Sequence, residues 1–157
     1  MHLDCQINDK PWSGDVHPGT ILMDFLRGEG WQGVKHGCET GDCGSCAVLV
    51  DGVPRNTCVM LAAQVQQRAV TTIEHIGVPE NLHPIQDAFV NAAAIQCGYC
   101  TPSMILVALA LLKKNPRPSE NEVRDAFSGN LCRCTGYKKP VEAVLAAAES
   151  MQGGARV

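Results

Sequence analysis

Residues 37–46 read "GCETGDCGSC" and place Cys38, Cys43 and Cys46 among three glycines, just before the apolar run "AVLV". Cys58 follows Cys46 with eleven residues between them. A loop that brings three thiols onto one centre must bend sharply, and glycine allows this because it has no Cβ atom. The stretch therefore predicts a tight, thiol-rich loop that leads into a strand.

The spacing C-x4-C-x2-C with a distant fourth cysteine is that of plant-type [2Fe-2S] ligation. Structural zinc sites usually come as paired C-x2-4-C motifs, which this stretch does not match. The spacing favours a [2Fe-2S] cluster held by Cys38, Cys43, Cys46 and Cys58. His36 could replace one thiolate, as in Rieske centres. Because four cysteines are available, a loop or surface histidine is the favoured interpretation.

A second group of cysteines follows in the motifs "QCGYC" and "LCRC", spaced C-x2-C and C-x-C. Its members are Cys97, Cys100, Cys132 and Cys134. The spacing alone leaves two alternatives, because a zinc ion could use the same four thiols. Both motifs precede predicted helix starts, at Thr101-Pro102 and at Pro140, whose positive ends would face a cluster that gains negative charge on reduction. This placement favours a second [2Fe-2S] cluster.

The first half of the chain is patterned as a small mixed sheet with one helix, and we predict a domain over residues 1–74. Alternation in "HLDCQIND" predicts an N-terminal hairpin, in which Cys5 is a buried, inert thiol. Thr20 is the predicted cap of the helix. Asp51-Gly52 is a turn between two strands, and "RAVTTIE" supplies another strand.

The second half is helical in period, over residues 84–157, after a polar and turn-rich linker at residues 75–83. Four helices are predicted. They cover residues 84–95, a segment from the Thr101 cap to Asn115, a segment opened by a Ser119–Glu122 capping box, and a segment opened at Pro140. "MQGGARV", residues 151–157, is a predicted frayed tail. The fold class is therefore α+β.

Composition excludes several classes of protein. Nine cysteines are an odd number and the start has no signal-peptide pattern, so we expect a cytoplasmic protein without a disulfide framework. The longest apolar run is far short of the ~20 residues of a membrane span. A net charge of −3 without basic runs argues against nucleic acid. The sequence shows neither a serine or cysteine paired with a histidine for nucleophilic catalysis nor a clear pair of catalytic carboxylates, so no catalytic residue is predicted.

The two cysteine groups together resemble those of the small iron-sulfur subunit of the molybdenum hydroxylases, the xanthine dehydrogenase family. The resemblance covers residues 2–150 and is carried by "GCETGDCGSC" with Cys58, "HPIQDAF", "QCGYCTP" and "GNLCRCTGY". It implies a plant-ferredoxin-like β-grasp domain followed by a four-helix domain, each with one [2Fe-2S] cluster. It also implies that Gln96 and Cys134 contact the molybdopterin.

The resemblance further implies partners. A large subunit would carry molybdopterin in its cytosine dinucleotide form, and a medium subunit would carry FAD. The assembly would be a heterotrimer or a dimer of heterotrimers, in which this chain relays electrons from the molybdenum toward FAD or another acceptor. Two positions depart from the family pattern. Ser103 replaces a glycine, so a side chain must fit where the family turn packs closely. Pro140 replaces a branched aliphatic residue. A structural zinc protein and a free-standing ferredoxin are the competing interpretations.

Overall fold

Five strands and five α-helices form the fold in the computed structural model, which describes residues 1–152. The strands are β1 (His2–Ile7), β2 (Lys10–Asp15), β3 (Ala47–Val50), β4 (Val53–Asn56) and β5 (Ala69–Thr71). The helices are α1 (Leu22–Gly28), α2 (Pro84–Asn91), α3 (Thr101–Lys114), α4 (Glu120–Ala126) and α5 (Lys138–Gln152). The sheet order is β2-β1-β5-β3-β4, with β1 and β5 parallel and the other neighbours antiparallel.

The predicted N-terminal hairpin is confirmed. β1 and β2 pair antiparallel around a two-residue turn, in which Asn8 and Asp9 have φ angles of 54° and 61°. Positive φ at both positions is the type I′ geometry that matches the twist of the flanking strands. Leu3, Cys5 and Ile7 alternate into the core, and burial raises the pKa of the Cys5 thiol.

β3 connects the first cysteine loop to the middle of the molecule. It starts at Ala47, directly after Cys46, and all four of its residues are buried. The predicted Asp51-Gly52 turn joins it to β4, with φ angles of 50° and 78°. The loop is therefore anchored at one end by a fully buried strand.

The predicted helix cap at Thr20 is wrong. α1 begins at Leu22, and its N-cap is Ile21, which has extended backbone and no side-chain capping bond. Ile21 forms an antiparallel bridge with Leu61, and the Thr20 carbonyl accepts a hydrogen bond of 2.8 Å from the Ala62 amide. This distant pairing keeps the chain extended past Thr20.

The four predicted helices of the second half are present, with shifted ends. α2 stops at Asn91, short of residue 95, because Ala93 adopts a φ of 52° and the Ala94 amide bonds to the Phe89 carbonyl at 2.9 Å. Such a left-handed residue followed by a back-bond closes a helix. The N-cap of α3 is Cys100 and not the predicted Thr101, so this helix begins one residue earlier than expected, at Thr101.

The last two helices keep their predicted signals. Ser119 and Glu122 form the predicted capping box of α4. α5 begins two residues before Pro140, a position that tolerates proline because the first helical amides need no partner. Met151 and Gln152 belong to α5, and the rest of the predicted frayed tail lies outside the described residues.

Two hydrophobic cores hold the molecule together, and the predicted α+β fold is confirmed. One core lies between the sheet and α1, around Leu3, Leu26 and Val48, and the other lies among α2 to α5, around Phe89 and Met104. α3 also contacts β3 and β4, so the two halves pack against each other.

The domain limits at residues 1–74, 75–83 and 84–157 stay a prediction. None of the helices within residues 1–152 is long and apolar enough to cross a membrane.

Candidate iron-sulfur centres

The first four cysteines meet in two pairs. The Cys43 amide donates a 3.4 Å hydrogen bond to the Cys38 sulfur, and the two side chains also interact. The Cys58 thiol neighbours the Cys46 thiol, which helps to raise the pKa of Cys58. Cys46 and Cys58 are 2% and 8% exposed, whereas Cys38 and Cys43 are half-buried. The loop therefore has a buried pair and a more accessible pair.

Glycine is required where this loop folds tightly. A Cβ atom on Gly37 would lie 2.7 Å from the Cys43 sulfur. Gly44 has a φ of +68°, and a Cβ there would lie 2.1 Å from the carbonyl oxygen of Gly129. Both approaches are too close for any side chain, so these glycines let the backbone pass against the thiols and against the second half of the chain.

The environment of the first loop acts on the thiols in opposite directions. Hydrogen bonds with the Thr40 side chain and the Cys43 backbone lower the pKa of Cys38 to about 6. Burial raises the pKa of Cys58 to about 11, and the neighbouring Cys46 adds to this. Because the thiolate is the form that binds metal, the buried pair has to exchange its protons for a metal centre.

The second four cysteines also meet in two pairs. The Cys100 thiol neighbours the Cys132 thiol, and the Cys134 thiol neighbours the Cys97 thiol, close enough to raise the pKa of Cys100 and of Cys134. Cys100 is 8% exposed and Cys132 is half-buried, whereas Cys97 and Cys134 are exposed. The second site therefore also has a more buried pair, Cys100 with Cys132, but its other pair, Cys97 with Cys134, is exposed.

Two helix starts and two hydroxyl groups hold this second site. Cys100 is the N-cap of α3, and α5 begins at Lys138, shortly after Cys134. The Thr135 hydroxyl lies 3.1 Å from the Cys132 sulfur, and the Cys132 amide donates a 2.9 Å bond to the Tyr137 hydroxyl. The predicted placement of the thiols beside two helix starts is therefore present in the fold.

Burial and hydrogen bonding again compete at the thiols. Burial raises the pKa of Cys100 to about 12, and its bond with Cys132 adds to this. At Cys132 burial opposes ionisation, but hydrogen bonds with Thr135, Cys100 and the Cys134 backbone together outweigh it and lower the pKa. The hydrogen bond with Cys97 raises the pKa of Cys134.

The remaining candidate residues lie at the surface. Gln96 is exposed beside the exposed Cys97. His36 is exposed and pairs with the Glu39 carboxylate, in keeping with its interpretation as a surface histidine. Within residues 1–152 no group of three or more His, Cys, Asp or Glu side chains is arranged to hold a single metal ion. The eight thiols stand in four pairs, and a [2Fe-2S] cluster with four cysteine ligands has two irons to share them.

The two cysteine loops touch directly, which the sequence reasoning did not foresee. Leu131 directly precedes Cys132, and its amide donates a 2.9 Å hydrogen bond to the Cys43 carbonyl. The Asn130 side-chain amide donates to the Gly44 carbonyl at 3.2 Å. The sequence shows a polar "GN" before "LCRC", but this dipeptide does not indicate which residues Asn130 would contact.

Comparisons with known proteins follow the same division of the chain. Residues 5–70 match the family of 2Fe-2S iron-sulfur cluster binding domains, and residues 72–145 match the family of [2Fe-2S] binding domains. The nicotinate dehydrogenase small FeS subunit of Eubacterium barkeri is 47% identical over 150 residues, which cover 94% of each chain. The chain belongs to the small [2Fe-2S] subunit family of the molybdenum hydroxylases.

Solved structures place the whole fold in this family. Quinoline 2-oxidoreductase from Pseudomonas putida 86 contains a chain with 43% identity and a TM-score of 0.92, covering 98% of this chain and 97% of that one. The aldehyde oxidoreductase of Desulfovibrio gigas has 43% identity and a TM-score of 0.94, but this chain covers only 17% of it. The family predicted from the motifs and the ferredoxin-like plus helical fold are both confirmed.

Proposed function

We propose that this chain is the electron-transfer subunit of a molybdenum hydroxylase complex and that each half holds one [2Fe-2S] cluster. The observation that carries the proposal is that the eight cysteines lie as neighbours in four pairs, two pairs in each half. Membership in the small-subunit family supports the same function. A bound [2Fe-2S] cluster supplies a centre that takes up and releases one electron at a time.

The neighbouring thiols support a division of the ligands between the two irons of each cluster. In the first half Cys38 and Cys43 would hold one iron, and Cys46 and Cys58 the other. In the second half the corresponding ligand pairs would be Cys97 with Cys134 and Cys100 with Cys132. The Cys43 amide already points at a sulfur atom, and amide donors of this kind stabilise the reduced state and help to set its potential.

The exposures of the two sites support a direction for the electrons. Cys97 and Cys134 lie at the surface beside the exposed Gln96, so we propose that this face contacts the molybdopterin of the large subunit. Electrons would enter the chain there and leave from the first cysteine loop. The hydrogen bond from the Leu131 amide to the Cys43 carbonyl gives a direct backbone connection between the two loops.

The partners of the chain are proposed from its relatives. We propose a large subunit with molybdopterin in its cytosine dinucleotide form, a medium subunit with FAD, and a heterotrimer or a dimer of heterotrimers in the cytoplasm. Support comes from relatives named as small or iron-sulfur-binding subunits. In the D. gigas aldehyde oxidoreductase the corresponding fold is 17% of one longer chain, which agrees with a stable contact to the remaining domains.

The test uses the complex, purified anaerobically with its partner subunits. Metal analysis should give about four iron atoms per copy of this chain and no stoichiometric zinc. A panel of aldehydes and N-heterocycles is then screened, and the compound that turns over should bleach the visible absorption of the clusters within one turnover. Cys134→Ser should slow this reduction strongly, whereas Cys5→Ser should leave it unchanged. Zinc in place of iron, or clusters that stay oxidised during turnover, would contradict the proposal.

A further inference from the structure

Ser103, the third residue of α3, is completely buried and makes two hydrogen bonds. Its hydroxyl donates to the Cys100 carbonyl at 3.0 Å and accepts from the Asn130 side-chain amide at 3.2 Å. The same amide nitrogen donates its other hydrogen to the Gly44 carbonyl at 3.2 Å. A continuous polar chain therefore runs from the Cys100 end of α3, through Asn130, to the first cysteine loop.

Asn130, which joins Ser103 to the first cysteine loop, is also buried, at 3% exposure. Two further hydrogen bonds cross between the halves beside it: the Leu131 amide donates to the Cys43 carbonyl at 2.9 Å, and the Tyr99 hydroxyl donates to the His36 carbonyl at 2.6 Å. Buried polar groups that are fully paired favour one arrangement, because every alternative leaves a donor or acceptor unpaired. Among these three cross-connections, Asn130 supplies the buried side chain that helps to fix the relative position of the two loops.

Removing the Ser103 hydroxyl would act on Asn130 more than on α3. The Cys100 carbonyl also accepts the Met104 amide at 3.1 Å, so the helix keeps its own bond. One hydrogen of the Asn130 amide would lose its partner inside the protein. An amide that is paired on one side only can rotate away from Gly44, and the loops would then lose their fixed orientation.

We infer that Ser103 is a positioning residue, which acts through Asn130 to hold the two proposed cluster sites at one separation and orientation. The inference rests on the proposed function, because it assigns the role toward two bound [2Fe-2S] clusters. It also resolves the packing question at this position, since the hydroxyl fits without an unpaired atom among the buried side chains of residues 1–152.

The test is EPR spectroscopy of the fully reduced complex, in which both clusters carry an unpaired electron. The magnetic interaction between the two spins depends on their distance and relative orientation. We expect the wild type to show one resolved splitting, and Ser103→Ala to keep both cluster signals but to lose that splitting, because the orientation becomes distributed. Ser150→Ala is the matched control, since the Ser150 hydroxyl also donates to a carbonyl three residues back, that of Ala147, in α5.

A second variant separates positioning from folding. Asn130→Ala removes the bonds to both Ser103 and Gly44 and should also lose the splitting, and adding Ser103→Ala to it should change nothing further, because Ser103 acts through Asn130. A Ser103→Ala complex with both signals and the wild-type splitting would overturn the inference, and so would loss of one cluster signal, which would make Ser103 a local support of its site. A wild-type complex without iron-sulfur signals would remove the proposed function itself, and the inference with it.

Discussion

The two cysteine sites are built on the same plan but present their thiols differently. Each has a more buried pair, containing Cys46 at 2% exposure in the first site and Cys100 at 8% in the second, and a more accessible pair. In the first half the accessible pair is half-buried in a glycine-rich loop, whereas in the second half Cys97 and Cys134 are exposed at the surface. An enclosed site is shielded from solvent, and an exposed one can approach a redox partner. This difference is the reason for proposing that the second site faces the substrate-converting subunit.

The largest expected effect comes from removing one buried ligand of either site. Cys58→Ser and Cys100→Ser should each lose one cluster and about half of the iron, because a four-cysteine [2Fe-2S] site needs all its thiolates. Iron analysis and the surviving EPR signal would show which cluster remains. Cys5→Ser is the control and should keep both clusters, because Cys5 lies in β1 outside both sites. Loss of both clusters in either single variant would show that the two sites are not independent.

A smaller effect is expected where the first loop packs against the second half. Gly44→Ala would place a Cβ atom 2.1 Å from the Gly129 carbonyl oxygen at a φ of +68°, so we expect a destabilisation of about 3 kcal/mol. Thermal bleaching of the clusters in the complex should begin at a clearly lower temperature. Gly129→Ala is the matched control, because nothing lies within 4 Å of its added Cβ and its φ is not positive. Equal melting of the two variants would contradict the close contact between the loops.

A modest effect is expected from the cap of α4, which belongs to the second half alone. In the capping box the Glu122 amide donates to the Ser119 hydroxyl at 3.3 Å and the Glu122 carboxylate accepts from the Ser119 amide at 2.7 Å. Ser119→Ala should lower the melting temperature by about 3 °C, the usual loss for an N-cap. Differential bleaching should show that the second cluster is released earlier while the first is unaffected. Earlier release of the first cluster would show that the two halves melt as one unit.

The smallest expected effect is a pH dependence at the start of α2. The His83 Nδ1 atom accepts a 3.2 Å hydrogen bond from the Ile85 amide, and burial lowers the pKa of His83 below its usual value of about 6.5. The folded state therefore binds this proton less readily than the unfolded state, so stability is present above that value and is lost as the pH falls below it. His83→Asn keeps a capping oxygen and removes the titration. Melting curves at pH 7.5 and pH 5.5 should converge more closely in the variant; an unchanged difference would exclude His83 as the cause.

The first cysteine loop and the strand after it could be predicted from the sequence because their information is local. The spacing of Cys38, Cys43 and Cys46 and the glycines between them describe a loop, and the Asp51-Gly52 turn fixes the strand that follows. The cap of α1 could not be predicted in this way. Ile21 stays extended because it pairs with Leu61, a residue forty positions away that local propensity does not include.

The second site was less determined by its own spacing. C-x2-C and C-x-C also suit zinc, and the family resemblance decided what the residues alone left open. The end of α2 was missed because the alanine run at residues 92–94 favours helix by propensity, while Ala93 takes a positive φ in the folded chain. The contact of Asn130 with the first loop joins residues 86 positions apart and is visible only in three dimensions.

The most direct test of the central claim is EPR on the dithionite-reduced, anaerobically purified complex, with the spins counted per copy of this chain. The account predicts two distinct [2Fe-2S] signals that integrate to about two spins. One signal of about one spin, together with zinc bound at Cys97, Cys100, Cys132 and Cys134, would contradict the claim that each half of the chain carries an iron-sulfur cluster.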